Sequence, residues 1–317
     1  MTRAVVLLNP RAAGGRAAAL RVPLTDWLRQ HAPAVTLLET ADIAHAQSIA
    51  RALPVASRVV VVGGDGTLHH LLEPVLQRQH AIALVPLGSG NDSARALGLV
   101  PLDWPAAIAH ALKAPTIDID TGELATAGRR LPFVSSLCAG FDAAICARVV
   151  GAPAWLGGLP RYPWSTLGEL ANLRTWTLRV TLDGVERHFG NALFASTCNT
   201  PTFGSGMPAV PHAGVADGRL DLLLAGAFGR LGALRMLPRL LAGHHLQDAR
   251  VRTWPFEHLM VESGEAIPLA ADGEPLDAVE RFEIRVVPRS LAFVVGPGRT
   301  ALGSAAAFTR SERSVPA

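Results

Sequence analysis

The segment RVVVVGGDGTLHHLL, at residues 58–72, constrains the fold of this chain more than any other stretch. Four consecutive valines, Val59–Val62, end at Gly63 and Gly64, and an uninterrupted β-branched run of this length is typical of a strand buried on both faces. Apolar residues then return at helical spacing from Leu68 onward. The segment therefore predicts a strand, a glycine loop and a helix. The N-terminus of that helix has free backbone N–H groups, and together with the helix dipole they favour an anion above the end of the strand.

Asp65 stands in the middle of this glycine loop, within the sequence Gly-Gly-Asp-Gly-Thr. A carboxylate beside bound phosphates is repulsive unless a cation lies between them, so the loop indicates nucleotide phosphates together with a divalent metal ion. The alternative is a tight turn that needs glycine only for its backbone conformation, because glycine-rich loops occur in many folds.

Composition and charge exclude several classes of protein. The net charge of +3 is too small to indicate a nucleic-acid partner, and no apolar run is long enough to span a membrane. The start, MTRAVVLLNPRAAGG, has a short apolar core that is typical of a first strand and not of a signal peptide. Cys138, Cys146 and Cys198 show no CxxC spacing, which favours a reducing, cytoplasmic compartment without disulfides or a zinc cluster.

Lys113 is the sole lysine of the chain. It is not part of a G-x-x-x-x-G-K-[ST] segment, so the lysine-dependent phosphate-binding loops are excluded. A nucleotide bound by this protein must therefore be held by backbone amides, a metal ion and arginine.

The order of strand and helix signals predicts two domains and a tail. Residues 1–122 alternate the two signals, which indicates a parallel sheet with helices on both faces. Residues 123–300 contain short extended stretches separated by turns such as Asp183-Gly184 and Asp272-Gly273, which favours an antiparallel β-sandwich. Residues 301–317 are expected to fray or to pack weakly. The predicted fold class is α/β plus β.

Two further segments interrupt the β pattern, at residues 151–176 and 229–243. The first carries tryptophan and arginine, and the second places leucines on one side with arginines between them and Pro238 as a kink. Arginine beside tryptophan and leucine suits the headgroup level of a membrane. The alternative is a pair of ordinary amphipathic helices packed on the sandwich.

Two more glycine-rich loops follow predicted strands, at residues 9–15 and 86–92. The carboxyl ends of neighbouring parallel strands share one edge of a sheet, and open α/β sheets bind their ligands there. Three such loops in one domain therefore predict a ligand site at that edge.

Several motifs together carry a resemblance to a known family. They are Asn9-Pro10 with Gly14-Gly15, GGDGT at 63–67, PLGSGNDSARALG at 86–98, AGFDA at 139–143, FGSGM at 203–207, ADGRL at 216–220 and ADGEP at 271–275. In order and spacing they resemble the diacylglycerol kinase catalytic superfamily, which includes bacterial soluble lipid kinases and the sphingosine and ceramide kinases. The resemblance covers about residues 4–290. It implies a first domain similar to phosphofructokinases and NAD kinases, a β-sandwich carrying the lipid site, and an active site in the cleft.

The resemblance also implies an activity, which is ATP- and Mg²⁺-dependent phosphorylation of a hydroxyl on a diacylglycerol-like or sphingoid lipid at the inner membrane face. It implies nucleotide contacts from Asn9, Thr40, Gly63, Gly64, Asp65, Gly66, Thr67, Leu68, His69, Ser89 and Asn91. Asp65, Asp92 and Asp120 would surround the catalytic Mg²⁺, and Glu274 would be the general base. Asp217, with the backbone carbonyls of Gly214 and Arg219, would hold a structural Mg²⁺.

Physical chemistry agrees with these implied roles, although each has a plainer alternative. Phosphoryl transfer needs positioning, charge neutralisation and a base near the attacking hydroxyl. Glu274 follows a turn, so its carboxylate can project into a cleft, or it can be an ordinary surface glutamate of a hairpin. Asp217 can be a turn residue, and Asp120 can be a strand-end charge that faces solvent.

The chain departs from the bacterial form of the family after the GGDGT loop, where Leu68-His69-His70 replaces a hydrophobic residue followed by Asn-Glu. His69 and Ser89 resemble the sphingosine kinases at these positions, while His70 removes a negative charge near the nucleotide. A zinc site on the two histidines is disfavoured because adjacent helical residues point about 100° apart. A soluble NAD- or sugar-phosphate-type kinase and a non-catalytic nucleotide- or lipid-binding regulator stay open as alternatives, and so does a homodimer.

Overall fold

The computed structural model describes residues 4–88, 90–100, 102–153, 156 and 161–297. The strands of this part are β1 (Ala4–Leu8), β2 (Thr36–Glu39), β3 (Arg58–Gly63), β4 (Ala81–Pro86), β5 (Thr116–Thr126), β6 (Arg129–Phe133), β7 (Ser136–Ala139), β8 (Trp176–Leu182), β9 (Val185–Cys198), β10 (Leu220–Gly226), β11 (Val251–Phe256), β12 (His258–Ala271) and β13 (Glu274–Val294). The α-helices are α1 (Arg21–His31), α2 (Ile43–Ala52), α3 (Asp65–Gln77), α4 (Asp92–Ala96), α5 (Trp104–Lys113), α6 (Phe141–Val150), α7 (Arg161–Ala171) and α8 (Arg230–Leu241). None of the described helices is both long and apolar enough to cross a bilayer.

The run of four valines forms the middle of a parallel sheet, as its pattern predicted. The strands are ordered β2-β1-β3-β4, and every pair is parallel. Val59 and Val61 pack into a core with α2 and α3, while Val60 and Val62 pack into a second core with α1 and α5. Because successive strand residues face opposite sides of a sheet, an unbroken apolar run is what a strand between two helical layers requires.

Two helices begin at aspartates that cap their first turns. Asp42 accepts a hydrogen bond from the N–H of His45 at 2.8 Å and so caps α2. Asp103 accepts one from the N–H of Ala106 at 3.0 Å at the start of α5. These caps set where the helices on either face of the sheet begin.

The strands after β5 build the predicted antiparallel layers. They follow the order β11-β10-β9-β7-β12-β13, and β8 pairs with both β9 and β12. The turns Asp183-Gly184 and Asp272-Gly273 have left-handed backbone at both residues, which is the conformation of tight hairpin turns. The α/β plus β fold class is confirmed.

Strand β13 runs through both domains and ties them together. Its first part pairs antiparallel with β12, its middle and last parts pair antiparallel with β5, and at its end Phe293 pairs in parallel with Ile82 of β4. The side chains of Leu291, Phe293 and Val294 lie in the two cores of the parallel sheet. The predicted division assigns residues 1–122 to the first domain and 123–300 to the second. By that division the end of β13 belongs to the second domain, but it packs in the cores of the first. The predicted tail, 301–317, lies outside the described residues.

Candidate active site

The carboxyl ends of β1, β3 and β4 meet at one edge of the parallel sheet, as the glycine loops predicted. Asn9, directly after β1, donates from Nδ2 to Thr67 Oγ1 at 2.9 Å and so joins the first loop to the start of α3. A Cβ atom on Gly64 would lie 3.0 Å from Gly88 Cα, so the loops after β3 and β4 touch through glycine backbone. Thr40, directly after β2, is buried and bonds through its N–H to the end of β1 at 2.9 Å. These contacts connect the segments that follow all four strands.

One cavity of about 1020 Å³ starts at this edge and continues into the second domain. Its polar end is lined by residues of the three loops, including Asn9, Asp65 and Asn91. Its other end is an apolar chamber, whose walls include Phe141, Ile145, Leu193, Phe228, Met236 and Leu237. Glu274 also lines the cavity, so a glutamate of the second domain faces the same space as the glycine loops.

Buried polar atoms without a partner surround the polar end. Among the described residues, Asn91 Oδ1, Ser93 Oγ and Ser205 Oγ are buried and have no hydrogen-bond partner, and Asn91 and Ser205 line the cavity. Buried polar groups in native proteins are nearly always hydrogen-bonded, so these atoms indicate that a polar ligand completes the site. Ser89, also predicted to contact the nucleotide, lies outside the described residues.

Asp65 and Asp92 are brought together by α4. Asp65 Oδ2 accepts the N–H of Asp92 at 2.8 Å, and its Oδ1 accepts the N–H of Ser93 at 3.3 Å. Burial and the nearby Asp92 carboxylate raise the pKa of Asp65 to about 6, against the hydrogen bonds from Asp92 and Ser93. Two carboxylates this close at a cavity wall form an oxygen-donor set that would suit a divalent cation.

Asp92 also fastens the second domain to the first. Its Oδ1 accepts from Thr202 Oγ1 at 3.0 Å and from the N–H of Gly206 at 2.8 Å, and its Oδ2 accepts the N–H of Ser205 at 3.0 Å. The FGSGM loop is therefore held directly over the end of the PLGSGN loop. The sequence motifs indicated both loops, but nothing in their spacing indicated that one carboxylate joins them.

Glu274 lies directly over the GGDGT loop. A Cβ atom on Gly66, in the first turn of α3, would lie 2.5 Å from Glu274 Oε1, so a side chain at this position would displace the carboxylate. Glu274 Oε2 lies 3.9 Å from His70 Nε2. Burial lowers the pKa of His70, and Glu274 opposes that change. The carboxylate is thus beside the loop that carries Asp65, although its role as a base stays a prediction.

His69 and Leu68 are predicted nucleotide contacts whose side chains are buried in the protein. His69 is buried, and its Nδ1 pairs with Asp272 Oδ2 at 3.0 Å. Leu68 lies in the core of the first domain, and its N–H donates to Gly64 O at 3.1 Å inside the helix. Neither residue lines the cavity, because helical spacing turns His70 toward it instead. Nucleotide contacts from Leu68 and His69 stay a prediction, and such contacts would have to come from groups other than these buried side chains.

Asp272 is a site residue that the sequence reasoning missed. Its carboxylate is buried and accepts the backbone N–H groups of three consecutive residues, 134–136, the shortest at 2.7 Å from Ser135. With the His69 contact, Asp272 fixes the turn that carries Glu274 against α3 of the other domain. The turn pattern Asp-Gly suggested only a hairpin, because the partners lie more than 130 positions away in the chain.

Asp120 does not join Asp65 and Asp92. It is fully buried, and its two carboxylate oxygens accept the N–H groups of Gly218 at 2.7 Å and Arg289 at 2.8 Å. Burial raises its pKa, and Asp217 nearby adds to that effect. The predicted network of Asp65, Asp92 and Asp120 around Mg²⁺ therefore stays a prediction, and the alternative of a solvent-facing Asp120 is wrong. The cause is that β5 directs Asp120 toward the ADGRL turn.

The residues of the predicted structural metal site lie together. Asp217 Oδ1 accepts the N–H of Arg219 at 3.1 Å, and a Cβ atom on Gly214 would lie 2.7 Å from Asp217 Oδ2. No group of three or more His, Cys, Asp or Glu side chains that could hold a metal occurs among the described residues. A metal at Asp217 would therefore depend on main-chain carbonyls, and this site stays a prediction.

A second missed residue, Asp142, lies at the wall of the apolar chamber. It accepts hydrogen bonds from Ser196 Oγ at 2.5 Å and from the N–H of Ala143 at 2.9 Å. Burial raises the pKa of Asp142. Tyr162 also lines the cavity, and burial raises its pKa to about 12. The chamber thus has a few polar groups in a largely apolar wall, as is common in sites for amphiphilic ligands.

These features define a class of protein. A parallel-sheet edge with glycine loops that opens into an apolar chamber of a β-sandwich is the arrangement expected of a two-domain lipid kinase. Residues 3–124 match the Diacylglycerol kinase catalytic domain, and residues 135–295 match the YegS C-terminal NAD kinase beta sandwich-like domain. The chain belongs to the family of diacylglycerol kinases and YegS-like lipid kinases.

Relatives of known name agree with this assignment. The chain is 32% identical over 237 residues to a diacylglycerol kinase of Mycobacterium tuberculosis, which covers 74% of this chain and 75% of the relative. It is 32% identical over 234 residues to a Pseudomonas putida protein described as a YegS-like lipid kinase, which covers 72% and 74%.

Solved structures share the fold at low sequence identity. A diacylglycerol kinase from Bacillus anthracis superposes with a TM-score of 0.70 at 18% identity, covering 93% of this chain and 97% of that one. An NAD kinase from Archaeoglobus fulgidus in complex with ATP superposes with a TM-score of 0.50 at 11% identity, covering 92% and 93%. The predicted similarity of the fold to diacylglycerol kinases and NAD kinases is confirmed.

Proposed function

We propose that this protein transfers the γ-phosphate of ATP, with Mg²⁺, to the hydroxyl of a diacylglycerol-like or sphingoid lipid at the inner face of the membrane. The observation that carries the proposal is the single cavity in which the Asp65 loop, the Glu274 carboxylate and the apolar chamber meet. The family and the relatives named diacylglycerol kinase support it.

The polar end of the cavity suits ATP. Three loops supply backbone groups, the FGSGM loop of the second domain adds Ser205, and Arg11 lines the same end. Asn91 Oδ1 and Ser205 Oγ have no hydrogen-bond partner within the described residues. Guanidinium and backbone N–H groups are donors to phosphate oxygens, so the site needs no lysine. The ATP complex of the Archaeoglobus fulgidus NAD kinase, which has a similar fold, also supports nucleotide binding by such a domain.

The donor set at Asp65 suits Mg²⁺, which prefers carboxylate and water oxygens. Asp65 would hold the ion directly or through water, with Asp92 beside it as its electrostatic partner. When bound, Mg²⁺ supplies neutralisation of the phosphate charge. Asp92 would keep its hydrogen bonds to the FGSGM loop, so it closes the site over the nucleotide.

Glu274 would act as the general base. Its carboxylate takes the proton of the lipid hydroxyl as the hydroxyl oxygen bonds to the γ-phosphorus, the bond from that phosphorus to the bridging oxygen breaks, and ADP leaves. Glu274 lies over Gly66 and lines the same cavity as the apolar chamber, so its carboxylate faces the space that a lipid hydroxyl would enter. His70 stays uncharged near neutral pH because burial lowers its pKa, so it leaves the Glu274 carboxylate basic.

The apolar chamber favours a lipid over a soluble acceptor such as NAD or a sugar phosphate. Its walls are built from phenylalanine, leucine, isoleucine and methionine side chains of the second domain. Burying hydrocarbon there is favourable by roughly 25 cal/mol for each Å² removed from water, whereas a sugar phosphate would lose hydration without gain.

Transfer of radiolabel from ATP to mixed lipids in detergent micelles tests the proposal. The protein is expected to label one class of lipid, and Glu274→Gln or Asp65→Ala is expected to lower the rate by at least about 10²-fold. Glu280→Gln is the matched control, because Glu280 is an exposed glutamate on the same strand as Glu274. Full activity in Glu274→Gln would remove the base assignment, and labelling of NAD instead of lipid would overturn the substrate class.

A further inference from the structure

Helix α8 has an apolar surface on both of its faces. Ala233 is buried, and Met236, Leu237 and Leu240 line the cavity. Leu231 and Leu241 point outward and are 70% and 63% exposed, and Leu234 is exposed with them. An amphipathic helix on a protein surface needs one apolar stripe toward the core, so the outward leucines are not explained by the fold.

Helix α7 extends this outward surface. It packs beside α8, and its Trp164 and Leu167 are exposed. Twelve large apolar side chains are exposed in the described part of the chain, and five of them lie on these two helices. We call the surface formed by Trp164, Leu167, Leu231, Leu234 and Leu241 the outer apolar face. Apolar residues clustered in this way mark an interaction site, whereas single exposed ones need no explanation.

The outer apolar face is continuous with the mouth of the cavity. Leu167 and Leu241 belong to the face and also line the cavity, as do their neighbours Pro163 and Leu240. Whatever covers the face therefore also covers the entrance to the apolar chamber. A partner from which acyl chains can pass into the chamber fits this position.

Arginines accompany the outward leucines. Arg230, Arg235 and Arg239 are exposed on α8, and this helix contains no acidic residue. Arg239 lies 3.7 Å from Asp248, but no ion pair of Arg230 or Arg235 occurs within the described residues. On α7, the single carboxylate, Glu169, is paired with Arg148 at 3.0 Å. Apolar side chains bordered by arginine are complementary to acyl chains beneath anionic headgroups.

We propose that the outer apolar face docks on an anionic phospholipid bilayer, with its leucines in the headgroup–acyl boundary and Arg230 and Arg235 on lipid phosphates. This orientation places the cavity mouth against the membrane, so a lipid substrate enters the chamber without crossing water. The inference rests on the proposed function for the identity of the substrate, while docking itself requires no catalysis.

Vesicle flotation tests the docking directly. The full chain is mixed with phosphatidylcholine vesicles that contain or lack phosphatidylglycerol, and the share that floats is measured at low and high salt. Wild type is expected to float with anionic vesicles and to be partly released by salt. Leu231→Ser with Leu234→Ser should weaken binding by at least about tenfold, and Arg230→Gln and Arg235→Gln by about fivefold each.

The matched controls lie on α1, on the other domain. Val22→Ser removes an apolar side chain that is 66% exposed on a helix, and Arg29→Gln removes an exposed helical arginine. Both controls should float like wild type. Circular dichroism and thermal unfolding verify that all variants are folded, since the substituted residues are exposed.

A second readout separates docking from catalysis. With a short-chain, monodisperse diacylglycerol, the Leu231→Ser/Leu234→Ser variant should keep wild-type activity and lose it only toward lipid in vesicles. If no lipid is phosphorylated at all, flotation still decides the docking proposal by itself. Equal flotation of this variant and wild type would overturn the proposal, and so would wild type that stays at the bottom of the gradient. A wild-type dimer that this variant converts to a monomer would also overturn it, because the face would then join two copies of the chain.

Discussion

Asp65 and Asp120 have the same chemistry and different surroundings. Each accepts two backbone N–H groups, and burial raises the pKa of each. Asp65 lines the cavity beside polar atoms of Asn91 and Ser205 that are unpaired within the described part of the chain, whereas Asp120 is fully buried among partners that satisfy it. A raised pKa therefore marks burial in both places, and only the unsatisfied surroundings of Asp65 indicate chemistry.

The largest expected effect separates the two aspartates by activity. Asp65→Asn should lower the rate of lipid phosphorylation by about 10³-fold, because it removes a charge that would bind Mg²⁺ at the transferring phosphate. Asp120→Asn should leave the rate per folded molecule within a few-fold of wild type. The measurement is radiolabel transfer at saturating ATP, with the folded fraction determined for each variant. Equal losses of activity in both variants would contradict the assignment of a catalytic role to Asp65 and a structural role to Asp120.

For stability we expect the opposite order, with the substitution of Asp120 causing the larger loss. Asp120→Ala leaves the N–H groups of Gly218 and Arg289 buried without acceptors, which should lower the free energy of unfolding by about 4 kcal/mol. Asp118→Ala is the control, because Asp118 is exposed on the same strand and should change stability by less than about 0.5 kcal/mol. Urea unfolding measures both, and a loss under about 1 kcal/mol for Asp120→Ala would contradict the assigned role.

The pH dependence of stability sharpens the comparison for Asp65. Its pKa of about 6 in the folded protein lies above its ordinary value of 3.8, so the folded state retains a proton that the unfolded state has lost between these pH values. The stabilising contribution is complete below pH 3.8 and is lost as the pH rises through 6. The unfolding free energy of wild type, taken relative to that of Asp65→Asn, should therefore fall by at most roughly 3 kcal/mol from pH 4 to pH 7.

This comparison is made in the presence of EDTA, and Mg²⁺ provides its control. Added Mg²⁺ should reduce the fall for wild type, because a bound cation favours the ionised carboxylate, and should leave Asp65→Asn unchanged. A difference that stays constant between pH 4 and pH 7 in EDTA would show that the pKa of Asp65 is not raised.

His70 gives the smallest expected effect. Protonation would place a positive charge 3.9 Å from the Glu274 carboxylate and weaken it as a base, and burial lowers the pKa of His70 so that this happens only on the acid side. In His70→Gln, the acid limb of the rate profile should move to lower pH, with a gain of a few-fold at pH 5.5 and little change at pH 8. Superimposable profiles would mean that His70 does not act on Glu274.

The parts of the fold that come from short segments were predictable from the sequence. The four valines specified a strand between two layers, Asp42 a cap, and Asp183-Gly184 a hairpin turn, because each depends on neighbouring residues only. The loops that line the polar end of the cavity were predictable for the same reason, since parallel strands carry their loops to one edge.

The parts that depend on distant contacts were not predictable. His69 and Asp272 are 203 positions apart, and no local pattern indicates that their side chains meet. Asp120 was grouped with Asp65 because both resemble family positions, but the backbone of the ADGRL turn decides where its carboxylate bonds. The outward leucines of α8 follow the same helical spacing as its inward ones, so the sequence alone left open which side they face.

The lipids of cells that overproduce this protein provide the most direct test of the central claim, which is that the Asp65 loop and Glu274 act together across one cavity on a lipid hydroxyl. Mass spectrometry should find one phosphorylated lipid class that accumulates with wild type and with Glu280→Gln, and stays at the background level with Glu274→Gln. Accumulation of the same lipid with Glu274→Gln, or no difference between wild type and cells without the protein, would contradict the account.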